Sequence, residues 1–131
     1  MRKLFLLVPA ALLLAGCGGG GKSATSAEVG TTVSNVRVLK TIVIHETEYR
    51  LRPRTIRIGR IAYYGIKAVN DGTVTHALVL EGHGLKKATG DIAPGESKTF
   101  SAFLHTPGTY ELYCPIDGHK GKGMTAKLVV P

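Results

Sequence analysis

From Val36 onward the chain never runs far without a turn signal, and between the signals its apolar residues recur with a period of two. Val36 to Ile44 is rich in β-branched residues, Ile56 and Ile58 alternate with Arg57 and Gly59, and Tyr64, Ile66 and Ala68 alternate with Gly65 and Lys67. Asn70-Asp71-Gly72 then marks a turn, and Thr75 to Leu80 reads as a further strand. Pro94-Gly95 precedes Phe100, Ala102 and Leu104. Pro107-Gly108 precedes Thr109 to Tyr113, and Ala126, Leu128 and Val130 close the chain. Spacing by two puts alternate side chains on opposite faces of a pleated strand, so one face of each segment is built for burial. Only the stretch from Leu85 to Thr89 offers a helical turn. About seven to eight short strands at this spacing predict an all-β sandwich or barrel rather than a parallel sheet. An immunoglobulin-like adhesion domain would have the same pattern, so the pattern alone does not decide function.

The start of the chain reads as a processing signal. Arg2 and Lys3 precede an apolar run from Leu4 to Leu14, broken only by Pro9 and followed by Leu14-Ala15-Gly16-Cys17. That run is too short to span a bilayer comfortably and suits a signal-peptide core. Its ending resembles a bacterial lipobox, which implies removal of residues 1–16 and acylation of Cys17 as the mature N-terminus. An ordinary secretory signal or an uncleaved anchor would share everything except the cysteine. Residues 17–34 read as the lipidated Cys and a flexible tether, because from Gly18 to about Ser34 the chain is mostly Gly, Ser, Thr and Ala with little apolar content. Residues 35–131 remain as one compact domain. The expected location is the outer face of a bacterial membrane or the periplasm, held by lipid.

The net charge is +8, concentrated in Arg50, Arg52, Arg54, Arg57 and Arg60. A nucleic-acid footprint would set that charge beside stacking aromatics or a recognisable motif, and neither is present, so no nucleic-acid partner is expected. A solvated strand face accounts for most of the charge, with an acidic lipid or protein as the other reading. The chain has two cysteines. If Cys17 carries lipid, Cys114 is the only thiol in an oxidising compartment and has no mate for a disulfide. Metal ligation supplies a reason for such a residue.

Residues 113–124 read Tyr-Cys-Pro-Ile-Asp-Gly-His-Lys-Gly-Lys-Gly-Met. Cys114, His119 and Met124 are spaced by five and five on a loop between two strands. Pro115 and the glycines at 118, 121 and 123 let it curl. His76 begins a strand after the Asn70-Asp71-Gly72 turn, within reach if two strands lie side by side. Two imidazoles and one thiolate with a long axial thioether form the type 1 copper set, a single mononuclear ion cycling between Cu(I) and Cu(II). Taken alone, Met124 reads as core filler, His119 as a surface loop residue and His76 as a hydrogen-bonded strand residue. Their joint spacing beside the unpaired thiol favours ligation. His45, His83 and His105 have no sulfur nearby and are expected at the surface.

Asn70 to His76, then Pro107-Gly108-Thr109-Tyr110, then the Cys114 to Met124 loop resemble the plastocyanin/azurin family, the cupredoxins. The five-and-five loop is similar to that of rusticyanin and auracyanin. The resemblance covers roughly Thr41 to Pro131. It implies a Greek-key β-sandwich, copper ligation by His76, Cys114, His119 and Met124, and one-electron transfer to redox protein partners by a monomer that is not an enzyme. It also places Tyr113 on an aromatic route toward the sulfur and His119 as the electron gate, set in an apolar patch. Two positions depart from the pattern. Many members carry Asn or Ser after the first histidine, where this chain has Ala77, and Pro115 has no N–H to offer. The backbone amides of Ala77 and Ile116 are then the expected donors to sulfur.

A copper storage or delivery protein is the alternative. Such carriers expose several Met or His residues, and this chain has one methionine after the initiator. An oxidase or nitrite reductase would need further histidine clusters. A binuclear copper centre would need a second loop cysteine, where position 118 is Gly.

Overall fold

The computed structural model describes residues 36–131. The leader, Cys17 and the tether lie outside the described residues. Nine strands form: β1 (Lys40–Thr47), β2 (Arg50–Arg52), β3 (Thr55–Arg57), β4 (Ala62–Asn70), β5 (Val79–Gly82), β6 (Leu85–Ala88), β7 (Ser97–Leu104), β8 (Gly108–Tyr113) and β9 (Thr125–Val130). One sheet has the order β2-β1-β4-β7 and the other β3-β9-β8-β5-β6. Pairing is antiparallel except for β1 with β4 and β3 with β9, which are parallel.

The period-two residues meet between the sheets. Ile42 and Ile44 of β1 and Tyr64, Ile66 and Ala68 of β4 face Leu80, Leu112 and Leu128 from the second sheet. Among the described residues every strand and the whole buried cluster lie within the compact unit Ser34–Pro131, so this part of the chain carries its own core. Among the described residues no helix is long and apolar enough to cross a membrane.

Three expectations are corrected. Leu85–Ala88 is not a helical turn but edge strand β6, because its backbone pairs with Val79–Gly82. The strand expected from Thr75 begins only at Val79. His76 makes an isolated bridge to Ile92, which draws this part of the chain out of the ladder. The expected strand over Val36–Ile44 starts at Lys40 and runs on to Thr47.

Strand polarity sets the two ends of the sandwich. β4 finishes at Asn70, β8 at Tyr113, and β9 starts at Thr125, so the connections carrying His76, Cys114, His119 and Met124 all leave from one end. Lys40 of β1, Ala62 of β4 and Leu104 of β7 mark the other.

The inward face of β1 continues past Ile42 and Ile44 to Glu46, which is fully buried with no hydrogen-bond partner for either carboxylate oxygen among the described residues. Burial pushes its carboxyl up from 4.5 to about 7. An acid with a raised folded-state value costs nothing at low pH, where both states are protonated. As pH rises the unfolded chain releases its proton first, and stability falls. A shift from 4.5 to about 7 corresponds to roughly 3 kcal/mol lost across that window. Urea denaturation of the metal-free protein should therefore give a midpoint that drops between pH 5 and 8. Glu46→Gln should flatten that slope, and an unchanged slope would place the titration elsewhere.

Candidate metal centre

The loop after β8 is built to return on itself. Tyr113 pairs with Thr125 across the β8–β9 ladder, and the Cys114 N–H donates to the Met124 carbonyl at 3.2 Å, closing the neck. Inside the neck the His119 N–H donates to the Ile116 carbonyl and a single 3-10 turn, Lys120–Lys122, follows. Gly118 (φ 76°) and Gly123 (φ 100°) take left-handed backbone that side chains resist, and these two residues make the bends. The Met124 N–H then donates to the His119 carbonyl, so the thioether residue returns beside the histidine.

His76 is brought in by a separate anchor. Asn70, expected only as a turn residue, is fully buried. Its amide nitrogen donates to the carbonyls of Val74 and Ile92 at 2.8 Å each, and its amide oxygen accepts from the Gly72 N–H at 2.9 Å. The His76 N–H and carbonyl both pair with Ile92, which locks the residue against the second sheet.

The three groups converge. One nitrogen from each of His76 and His119 and the Cys114 sulfur lie within 4.8 Å of one another. The Cys114 Sγ to His119 Nδ1 distance is 3.5 Å. His76 and Cys114 are fully buried, His119 is 8% exposed, and Met124 is fully buried beside them. Three of the four residues singled out in sequence are thus gathered with ligand atoms facing one another, and the fourth lies in the adjoining core. His45, His83 and His105 are exposed, as expected.

The unpartnered polar atoms of the donor set fit a metal. His76 Nδ1 is buried with no hydrogen-bond partner among the described residues. Its other nitrogen, Nε2, faces the Glu48 carboxylate at 3.3 Å. A carboxylate accepts, so Nε2 carries the proton and Nδ1 keeps a free lone pair, the form a metal requires. Burial lowers the His76 pKa, opposed by Glu48, and this too keeps the ring neutral. Burial pushes the Cys114 thiol up, while the N–H groups of Ile116 and Ala77 directed at its sulfur pull the other way. Those are the two amides expected as donors. A buried thiol, an orphaned imidazole nitrogen and a second imidazole in reach fit a soft or borderline cation.

Glu48 and Tyr49 escaped sequence reasoning. The Glu48 Oε1 accepts from the N–H groups of Thr73 (2.7 Å) and Val74 (3.1 Å), which hold its carboxyl down at about 2. A Cβ on Gly72 would run into this carboxylate and push it aside. The Tyr49 ring meets His119 edge-on at 4.8 Å, and the Lys122 ammonium sits 4.0 Å over that ring. The surround of His119 therefore includes a cation-capped tyrosine rather than the plain apolar patch expected. A lone glutamate in a hairpin carries no spacing signal, since its partners come from another connection.

Sheet order, strand polarity and the loop neck together define the cupredoxin fold. No protein-family profile and no curated protein sequence matches the chain. Solved structures do. Dithionite-reduced auracyanin from Roseiflexus castenholzii superposes with a TM-score of 0.64 at 19% identity, covering 72% of this chain and 99% of that one. Auracyanin B gives 0.66 at 20% identity, covering 74% and 92%. Auracyanin A, described as a "blue" copper protein from Chloroflexus aurantiacus, gives 0.60 at 17%, covering 70% and 98%. At these identities the likeness establishes the fold.

The role of Glu48 is open to direct measurement. Co(II) titrated into the protein should give a thiolate charge-transfer band, and Glu48→Ala should weaken its binding about 10- to 100-fold. Gly72→Ala should act in the same direction by displacing the carboxylate. Unchanged affinity in both variants would remove Glu48 from the site.

Proposed function

We propose that the protein is a type 1 copper protein that carries single electrons at the outer face of a bacterial membrane, anchored through lipid on Cys17. The observation that supports it best is the buried convergence of His76, Cys114 and His119, with His76 Nδ1 left free by the Glu48 contact. His76, Cys114 and His119 would hold the ion, with Met124 as the long axial ligand. Copper held by such a set supplies a one-electron couple between Cu(I) and Cu(II).

The protein's own groups account for the rest. Asn70 and the Ile92 bridge hold His76 in place, and the β8–β9 neck does the same for Cys114 and Met124, so the ligands do not have to rearrange when charge changes. The amides of Ala77 and Ile116 stabilise negative charge on sulfur. Burial excludes water. His119, the one ligand candidate with any exposed surface, is where an electron would pass to a redox protein partner. Tyr113 donates to the Glu81 carboxylate at 2.6 Å and lies under Lys120, an arrangement that fixes the ring on the surface of β8. Copper delivery is the second reading. Ligands at most 8% exposed speak for retention over hand-off, since hand-off needs an accessible donor.

Residues 36–131 loaded with Cu(II) should show an intense visible thiolate-to-copper band that Cys114→Ala abolishes. Met124→Leu should keep the colour and raise the potential. Copper content should survive dialysis in both oxidation states. Release on reduction would favour the delivery reading. Mature protein should carry a fatty-acylated N-terminal Cys17, and Cys17→Ser should block acylation.

A further inference from the structure

The end of the sandwich opposite the candidate metal centre has a surface that the electron-transfer reading does not use. Six exposed large apolar residues gather there: Val36, Val38, Leu39, Ile61, Tyr63 and Phe103, each 38–44% exposed. Leu39, Tyr63 and Phe103 are direct neighbours. The Leu39 N–H donates to the Tyr63 carbonyl, Tyr63 pairs with Phe103 in the β4–β7 ladder, and the two rings stack at 4.7 Å. Arg37 and Arg60 line a hollow with Leu39 and Ala62. Lys40, Arg57 and Arg60 rim a groove of about 690 Å³ whose walls include Leu39, Ile58 and Tyr64.

The charge at this end has no counterpart. No Asp or Glu falls within residues 36–45, 49–70 or 97–110, the stretches that build it. Among the described residues every salt bridge involves His or Lys, and none of the arginines is paired. An arginine cluster without acids, set among exposed aliphatic and aromatic side chains, matches a surface that is anionic on the outside and apolar just beneath. That is the chemistry of a phospholipid bilayer, where tyrosine and phenylalanine sit at headgroup depth and each basic residue adds electrostatic attraction. An acidic protein would satisfy the charges but would leave the six apolar residues without a stated use.

We infer that this end docks onto an anionic phospholipid surface, with Arg37, Arg57, Arg60 and Lys40 on the phosphates and Leu39, Ile61, Tyr63 and Phe103 in the interface. His119 then faces away from the bilayer. The proximity of a membrane rests on the proposed anchor at Cys17, whereas the docking surface does not. The test omits the anchor so that the two can fail separately.

Residues 36–131, which carry the complete core, are mixed with vesicles of phosphatidylcholine alone or with one third phosphatidylglycerol, with and without copper, and bound protein is measured by flotation. Binding should require the anionic lipid and weaken with salt. Reversing Arg37, Arg57 and Arg60 to Glu together should reduce it about a hundredfold, and Tyr63→Ser with Phe103→Ser should reduce it independently. Lys98→Glu with Lys120→Glu, at the other end, should leave it unchanged. Hydrogen exchange on vesicles should be slowed in residues 36–40, 58–63 and 103–106 and not in 115–124. Absence of vesicle binding, equal loss in the Lys98/Lys120 variant, protection at 115–124, or binding to polyglutamate but not to vesicles would each overturn the proposal, the last in favour of an acidic protein partner.

Discussion

The hydrogen bond from the Cys114 amide to the Met124 carbonyl closes a loop on which the whole site depends. It continues the β8–β9 ladder by one step and converts the excursion over residues 115–123 into a tight return. Without that neck, Pro115 and the two left-handed glycines would leave an open loop, and Cys114, His119 and Met124 would have no common centre. The opposing sheet contributes the rest through Asn70, whose buried amide makes two hydrogen bonds to the chain before His76 and a third to Ile92, the bridge partner of His76. Backbone pairing on one side and one side-chain amide on the other fix the approach of the ligand groups before any ion is considered.

Two glutamates separated by a single residue illustrate how much depends on environment. Glu48 sits in a cradle of backbone N–H groups beside His76 and stays ionised at any ordinary pH. Glu46 points the other way, into apolar core, and holds its proton to about neutrality. Strand alternation would put both on one face; the end of β1 at Thr47 separates them, because position 46 faces inward from the strand and position 48 lies in the turn that follows. The field of Glu46 reaches Cys114, where it opposes ionisation of the thiol. The sulfur thus experiences a balance between burial, which disfavours negative charge with the help of Glu46 and Asp91, and the amide donors of Ile116 and Ala77, which favour it.

Much of this was legible in the sequence because it was local. Alternation in β4, β7, β8 and β9, the turns at Pro94-Gly95 and Pro107-Gly108, and the five-and-five loop are statements about neighbours in the chain, and the structure keeps them. What was not legible depended on pairing at a distance. Leu85–Ala88 becomes a strand only because Val79–Gly82 lies alongside, and Thr75–Ala77 leaves the ladder only because Ile92 competes for His76. Glu48, Tyr49 and the buried role of Asn70 belong to the same class. Each is an unremarkable residue until a second connection arrives beside it.

The two parallel pairings carry a kinetic consequence. β3 is early in the chain and β9 is last, yet Thr55 lies against Lys127 and Ile56 against Leu128. Contacts between such distant segments are slow to form, because the loop-closure entropy must be met before the contact rewards it. The final strand is also the one that completes the neck around Cys114. During maturation the thiol is therefore accessible until the last long-range contact forms, and an oxidising surrounding can reach it in that interval. Burial protects the finished site, whereas the nascent one depends on folding faster than its sulfur is oxidised.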